Sequence, residues 1–275
     1  MAKTLAQLRA FTRTLLSEPT ASYWSDSELN DYINDGMGMF CDETDCLDDI
    51  STDSAVAYKA DYTCPSDWTK IQKIEFVRGN SVYQVYSATL YEMYRGFTRN
   101  TSSQPYKANI IGNTIRFDTR ISNAANASTL DGAITAADTT ITVADSSGFP
   151  REGRIIIGSE VIEYWNNDGD NEELEVCSRG MEGTTAATHA DKVAVTFRDI
   201  KIYHYKRPVT MTSDSDTNEL PAQFENCAAH YAAYIGRMKS KDYDLSDKQK
   251  ATFDEYISKG LVWSKQKIKR WWRPR

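Results

Sequence analysis

Apolar residues recur every three or four positions near both ends of this chain and at short alternating intervals through its middle. That change of period limits the fold to a mixture of helix and sheet. Leu5, Leu8, Phe11, Leu15 and Leu16 predict a helix over 4–16, and Pro19 stops it. Ser25-Asp26-Ser27-Glu28 has the form of a capping box, with Ser25 capping and Glu28 reaching back. A second helix follows, with Leu29, Tyr32, Ile33, Met37 and Phe40 on one face. Towards the other end, Leu220-Pro221 opens a helix with proline at its start. Its buried stripe is Phe224, Cys227, Ala228, Tyr231, Ile235 and Met238, and its many alanines permit close packing. Leu245-Ser246-Asp247 caps a last long helix carrying Phe253, Ile257, Leu261 and Ile268 on one face.

Between these ends the pattern is that of strands. Ile71 to Val77 and Val82 to Val85 pair across an Arg78-Gly79-Asn80 turn, and Gly112-Asn113 centres a second hairpin. Thr89 to Tyr94 reads as a short helix. After a linker rich in Asn, Ala and Ser at 121–130 come Thr139 to Val143, a hairpin around Gly158-Ser159, Leu174 to Cys177 and Lys192 to Thr196. These form a small all-β module of about 70 residues, large enough to be a domain. Ile200 to Tyr205 is a further strand, ended by Arg207-Pro208.

Charge is distributed unevenly. The net charge is −7. Yet Tyr256 to Arg275 holds seven Lys or Arg and no acid, while Thr14 to Tyr58 holds eleven Asp or Glu and no base. Asymmetry of this kind speaks of partners and assembly. Glu28, Asp31, Asp35 and Asp42 share one face of the second helix as an acidic stripe, which is either a solvated face or a surface with a purpose. With 16 Tyr and 6 Trp the chain is rich in residues favoured at interfaces, although these are also ordinary core residues. The start of the chain reads as helix and not as a leader, and no apolar run is long enough for a membrane helix. We therefore expect a protein made and used in a cytoplasm, with no membrane partner. The five cysteines are odd in number and scattered, which favours free thiols over a disulfide framework.

Catalytic and metal-binding patterns do not emerge. His189, His204 and His230 have no zinc spacing, and Cys41 and Cys46 read as small residues beside a helix end. No phosphate-binding loop is present. Asn166 to Glu172 is oxygen-rich but lacks the spacing of a calcium loop, so a hairpin tip is expected. The reading is of a non-enzyme with no catalytic, metal or cofactor residues.

The two ends of the chain resemble phage head-to-tail adaptor proteins. Leu5-Ala6-Gln7-Leu8-Arg9, then Tyr23-Trp24-Ser25-Asp26-Ser27-Glu28-Leu29 and Tyr32-Ile33-Asn34, follow in the order that family shows. Ile202-Tyr203-His204-Tyr205-Lys206-Arg207-Pro208, Glu219-Leu220-Pro221 and the Ala-rich helix from Ala222 to Met238 match its later strand and helix. The segment at 123–197 departs from the family pattern and is similar to small β modules of other phage virion proteins. The resemblance implies a ring, typically of about twelve copies, closed by a heterologous contact. Such a ring sits between the portal and the next tail or nozzle component, in a virion assembled in the host cytoplasm, with DNA passing through without specific binding.

The expected architecture is thus α+β: a helical-bundle adaptor core with a small β part, in two portions at 1–122 and 198–275, and an inserted all-β module at 123–197. For the basic C-terminal segment, docking on the portal, contact with DNA and a merely solvated helix end are all open; the resemblance favours the portal. The docking candidates are Trp263, Lys265, Lys267, Lys269, Arg270, Trp271, Trp272, Arg273 and Arg275. The acidic stripe of Glu28, Asp31, Asp35 and Asp42 is the candidate channel lining, since like charge lowers adhesion to DNA. The rival readings are a tail-completion or other virion structural protein, a DNA-binding protein acting through its basic tail, and a cell-wall hydrolase.

Overall fold

The computed structural model describes the backbone of residues 2–96 and 101–271, and the side chains of 2–93 and 101–266. In chain order the first elements are α1 (Leu5–Leu16), α2 (Asp26–Thr44), β1 (Asp48–Asp53), β2 (Asp61–Thr63), β3 (Trp68–Arg78), β4 (Ser81–Ser87) and α3 (Leu90–Gly96). Then come β5 (Thr101–Ser102), β6 (Lys107–Ile111), β7 (Thr114–Phe117), β8 (Arg120–Ile121), β9 (Ala127–Thr129), β10 (Ile141–Thr142), β11 (Gly153–Ile157) and β12 (Glu160–Tyr164). The last are β13 (Asn166–Asp168), β14 (Glu173–Glu175), β15 (Ser178–Met181), β16 (Ala194–Phe197), β17 (Ile200–Lys206), α4 (Cys227–Lys239) and α5 (Tyr243–Trp271). The chain divides into two compact units. One comprises Met1–Asp49, Asp67–Lys70 and Tyr205–Arg275; the other comprises Ile50–Ser66 and Ile71–His204.

The first unit holds α1, α2, α4 and α5. Thr4 and Gln7 form a capping box at the start of α1: Thr4 Oγ1 accepts from the Gln7 N–H at 3.3 Å, and Gln7 Oε1 accepts from the Thr4 N–H at 3.0 Å. Ser17, in the left-handed conformation at φ 60, ends the helix two residues before Pro19. Leu5, Leu8, Ile33, Met37, Phe40, Phe224, Ala228 and Phe253 pack into one core. Small residues let the helices approach. A Cβ on Gly36 of α2 would lie 2.9 Å from Tyr231 Cβ of α4, and one on Gly260 of α5 would lie 2.7 Å from Thr44 Cγ2. The last helix starts at Tyr243, ahead of the expected Ser246 cap; Asp242 Oδ1 accepts from the Leu245 N–H at 3.4 Å, and Ser246 is buried.

The second unit is built of sheets. Seven strands run in the order β1-β17-β3-β4-β6-β7-β2. The expected hairpins close at Arg78↔Ser81 and Ile111↔Thr114, with Gly79 at φ +51 and Gly112 at φ +59. Strands β4 and β6 are parallel, with α3 in the connection between them. Residues 127–197 make a five-stranded sheet, β15-β12-β11-β16-β9, and a three-stranded one, β10-β14-β13. The β11–β12 hairpin turns at Gly158, as its sequence predicts, whereas only Ile141–Thr142 of the expected 139–143 strand is in a ladder. Leu130, Ile141, Ile155, Ile162, Tyr164, Leu174 and Phe197 form a core that Val77 of β3 joins, and this segment shares its compact unit with the seven-stranded sheet.

The expected helical-bundle core with a small β part is overturned. Seventeen strands accompany five helices among the described residues, one sheet curls into a half-barrel, and the helices account for 29% of the chain. The helical-bundle expectation comes with the family resemblance, and the strand segments before residue 122 and after 198 are each short. Paired across the chain, β17 beside both β1 and β3, they become one wide sheet. Strand pairing over such separations leaves no periodic signature in any local window.

Candidate assembly surfaces

The acidic face of α2 is set by its cap. Ser25 Oγ accepts from the Glu28 N–H at 3.2 Å, which places Glu28 in the first turn and the later acids one and more turns on. The four candidate lining residues then divide. Both oxygens of Glu28 accept from Lys239 Nζ at 2.8 Å, and one also accepts from the Tyr32 hydroxyl at 2.7 Å. The hydrogen bond from Lys239 holds the Glu28 carboxyl below the usual carboxylate range, against partial burial and with help from Tyr32. Asp42 accepts a forked pair from Arg207, at 3.1 Å to Nε and 2.7 Å to Nη2. Asp31 and Asp35 are exposed and form no ion pair among the described residues. Two charges of the stripe are therefore neutralised within the subunit and two face solvent.

Asp31, Asp35 and Asp42 line one groove of about 530 Å³ together with Met39, Val209 and Tyr231. Its far wall is the segment after β17. Asn34 fixes that wall, donating to the Met211 carbonyl at 3.0 Å and accepting from the Met211 N–H at 2.9 Å. Met39 and Val209 are 45% and 67% exposed, so the groove offers apolar surface beside its acids.

At the C-terminus, α5 runs through the candidate docking segment. Trp263 packs edge-on against Phe224, with ring centroids 6.0 Å apart, and sits against the helical core. Lys265 is exposed. The side chains of Lys267, Lys269, Arg270 and Trp271, and the residues Trp272, Arg273 and Arg275, lie outside the described residues.

The β unit contains charged clusters that sequence reasoning missed. Glu160 is buried and accepts from Arg179 Nε at 2.7 Å, Arg179 Nη2 at 2.8 Å and the N–H groups of Gly180 and Ala187. His189 Nε2 lies 2.8 Å from the same carboxylate. Burial alone would raise this carboxyl; Arg179 and His189 outweigh it and bring it down to about 2. Arg179 also donates to the Thr135 and Ala187 carbonyls, tying together the loops around β15. A second carboxylate, Glu182, receives Arg154, Arg198 and Thr52. The signal for both was present in Arg179-Gly180-Met181-Glu182-Gly183, where Gly180 at φ +64 could not carry a Cβ without meeting Thr184 O at 2.9 Å. These clusters bind their own loops.

Among the described residues no group of three or more His, Cys, Asp or Glu side chains is placed to hold a metal ion. In the oxygen-rich hairpin tip, Asp168 accepts from the Asp170 N–H and from Asn171 Nδ2. No helix among the described residues is long and apolar enough to cross a membrane. Compared with known families, the chain matches the model of the SU10 adaptor protein over residues 3–275, a span that includes the segment at 123–197. No curated protein matches it.

Proposed function

The chain belongs to the SU10 adaptor protein family, and from that premise we propose that it is a non-enzymatic head-to-tail adaptor, assembled as a ring beneath the portal of a tailed phage. Family membership makes it a structural component of a phage virion that works against other virion proteins. The observation that carries the finer reading is a family match running from residue 3 to residue 275. In the proposed assembly, copies join by a heterologous contact that closes on rotation. The basic C-terminal segment docks on the portal, the opposite end of the ring receives the next tail component, and DNA passes through the centre.

Two features support the division of roles. Seven cations and no acid follow Glu255, while Asp31 and Asp35 on α2 form no ion pair among the described residues. The first suits a charged partner surface. The second suits a wall along which DNA slides without adhering.

The test is binding of the purified chain, and of a version ending at Lys265, to the portal of the same particle, read by mass and by negative-stain images. Ending at Lys265 keeps Trp263 and the buried Ser264 in place against the helical core. Rings on the portal with the full chain alone are expected. Absence of binding by both forms would replace this reading with that of a tail-completion protein, and salt-sensitive binding to duplex DNA would assign the basic segment to DNA.

A further inference from the structure

We infer that Cys41 and Cys46 are a built-in disulfide site, reduced while the subunit folds and assembles in a reducing cytoplasm and closed once the particle meets an oxidising medium. The inference concerns the subunit itself and does not depend on the ring or on the portal.

The geometry comes from the end of α2. Asp45 adopts the left-handed conformation at φ 51, and its N–H donates back to the Cys41 carbonyl at 3.0 Å. That reversal folds Cys46 back under the last turn and brings its Sγ to 3.6 Å from Cys41 Sγ. A disulfide needs about 2.05 Å between sulfurs, so closure asks for roughly 1.5 Å of sulfur movement, within reach of side-chain rotation. The two residues are five positions apart, and the bridge closes on a turn already formed. No distant part of the chain has to move.

The surroundings set the rate. Both residues are 2% exposed and belong to the apolar helical core with Phe40, Phe224 and Cys227. The contact with Cys46, with burial second, pushes the Cys41 thiol well above its ordinary value, so little thiolate is present at neutral pH. Oxidation is accordingly slow on the timescale of assembly and runs through brief opening of the helix end. With hydrogen peroxide as the two-electron oxidant, one sulfur attacks the O–O bond, giving a sulfenic acid and water. The second thiol displaces the hydroxyl as a second water. Two S–H bonds are lost, one S–S bond forms, and the peroxide is reduced to two waters. Virion surfaces are among the settings where disulfides persist. The product staples the end of α2, where Asp42 holds Arg207 at the rim of the acidic groove.

The remaining thiols are placed differently. Cys177 Sγ donates to the Leu174 carbonyl at 3.2 Å, and Cys64 is in the other unit. Cys227 shares the core with the pair and is the one competing partner to be tested.

The experiment uses the full chain, purified reduced and then exposed to hydrogen peroxide at neutral pH. Thiols are counted after denaturation, and tryptic fragments are weighed. Trypsin leaves residues 14–59 as one fragment, because no Lys or Arg lies between Arg13 and Lys59, so both cysteines travel together. The expected result is a fall from five thiols to three, a fragment lighter by about 2 Da, and full reversal by dithiothreitol. Cys227→Ser should still lose two thiols, whereas Cys46→Ser should keep Cys41 out of any disulfide. Survival of all five thiols in the folded protein, while a free-cysteine control is oxidised, overturns the proposal. So does a bridge that includes Cys227 or joins two chains.

Discussion

Asp199 and Arg78 meet where the chain both enters and leaves the segment at 127–197: Arg78 Nη1 lies 3.5 Å from Asp199 Oδ2. The same guanidinium donates to the carbonyls of Asn123, at 2.7 Å, and Ala124, at 3.0 Å. Asp199 Oδ1 accepts from the Ala55 N–H at 2.6 Å, and the Phe197 N–H donates to Asn126 O at 2.8 Å beside it. One charge pair, of a buried carboxylate and a half-buried guanidinium, thus holds two crossings of the chain.

Burial pushes the Asp199 carboxyl up to about 6, against the weaker pull of the Ala55 N–H and Arg78 and with nearby Asp53 adding to the rise. The folded chain therefore binds this proton more tightly than the unfolded one, whose carboxyl titrates near ~3.9. Its contribution to stability is fully present below about pH 4 and is lost as the pH rises through about 6, at most about 3 kcal/mol. Asp199→Asn keeps the acceptor for Ala55 and removes the titration. Melting curves from pH 4 to 7 should show a shallower decline for the variant than for the natural chain; parallel curves would refute this role.

Glu160 has the opposite sign. Its carboxyl lies at about 2 in the folded chain, so its stabilisation is present above about pH 4.5 and is lost as the pH falls towards 2. Glu160→Gln leaves the Arg179 guanidinium buried without a counter-charge, at a cost of about 3–5 kcal/mol. Urea unfolding at pH 7 checks this, and the variant should also lose less stability on acidification.

Gly36 and Gly38 lie two residues apart on α2 and should respond in opposite directions. A Cβ at Gly36 meets Tyr231 Cβ at 2.9 Å, so Gly36→Ala overpacks the α2–α4 contact and costs about 1–3 kcal/mol. At Gly38 nothing lies within 4 Å, so Gly38→Ala gains about 0.5–1 kcal/mol through the helix backbone. Thermal melting of the two single variants decides the matter.

Asp31→Asn with Asp35→Asn should leave folding within about 0.5 kcal/mol of the natural chain, since both residues are exposed and neither has an ion pair among the described residues. If these residues line a DNA channel, the same double variant slows packaging or ejection in a particle assay. Unchanged DNA passage by a normally folded variant removes the channel-lining reading.

Much of the local structure was legible in the residues. The Ser25 cap, the three glycine hairpins and the periodic faces of α1 and α2 lie where short-range rules put them, whereas α4 buries Ala229, Ala232, Ala233 and Gly236 and leaves Met238 of its expected stripe exposed. The last helix start was misjudged because Ser246 resembles a cap, while its hydroxyl is buried and bonds the Tyr234 carbonyl. The acidic face of α2 was legible as a pattern but not as a charge distribution. The cations that neutralise Glu28 and Asp42 come from Lys239 and Arg207, 211 and 165 positions away. The family resemblance pointed to an adaptor but carried with it a helical-bundle architecture that the chain does not adopt.

By itself, the sequence determined helix and strand periods, caps, tight turns and the separation of acidic from basic segments, because each depends on residues within a turn or two of one another. Only the tertiary structure decided that scattered short strands unite in a seven-stranded sheet, which acids keep a free charge, that Glu160 and Asp199 are buried, and that two sulfurs touch. Those outcomes depend on contacts between distant positions. Their energies come from desolvation and charge pairing in a folded interior, and a linear pattern does not record them.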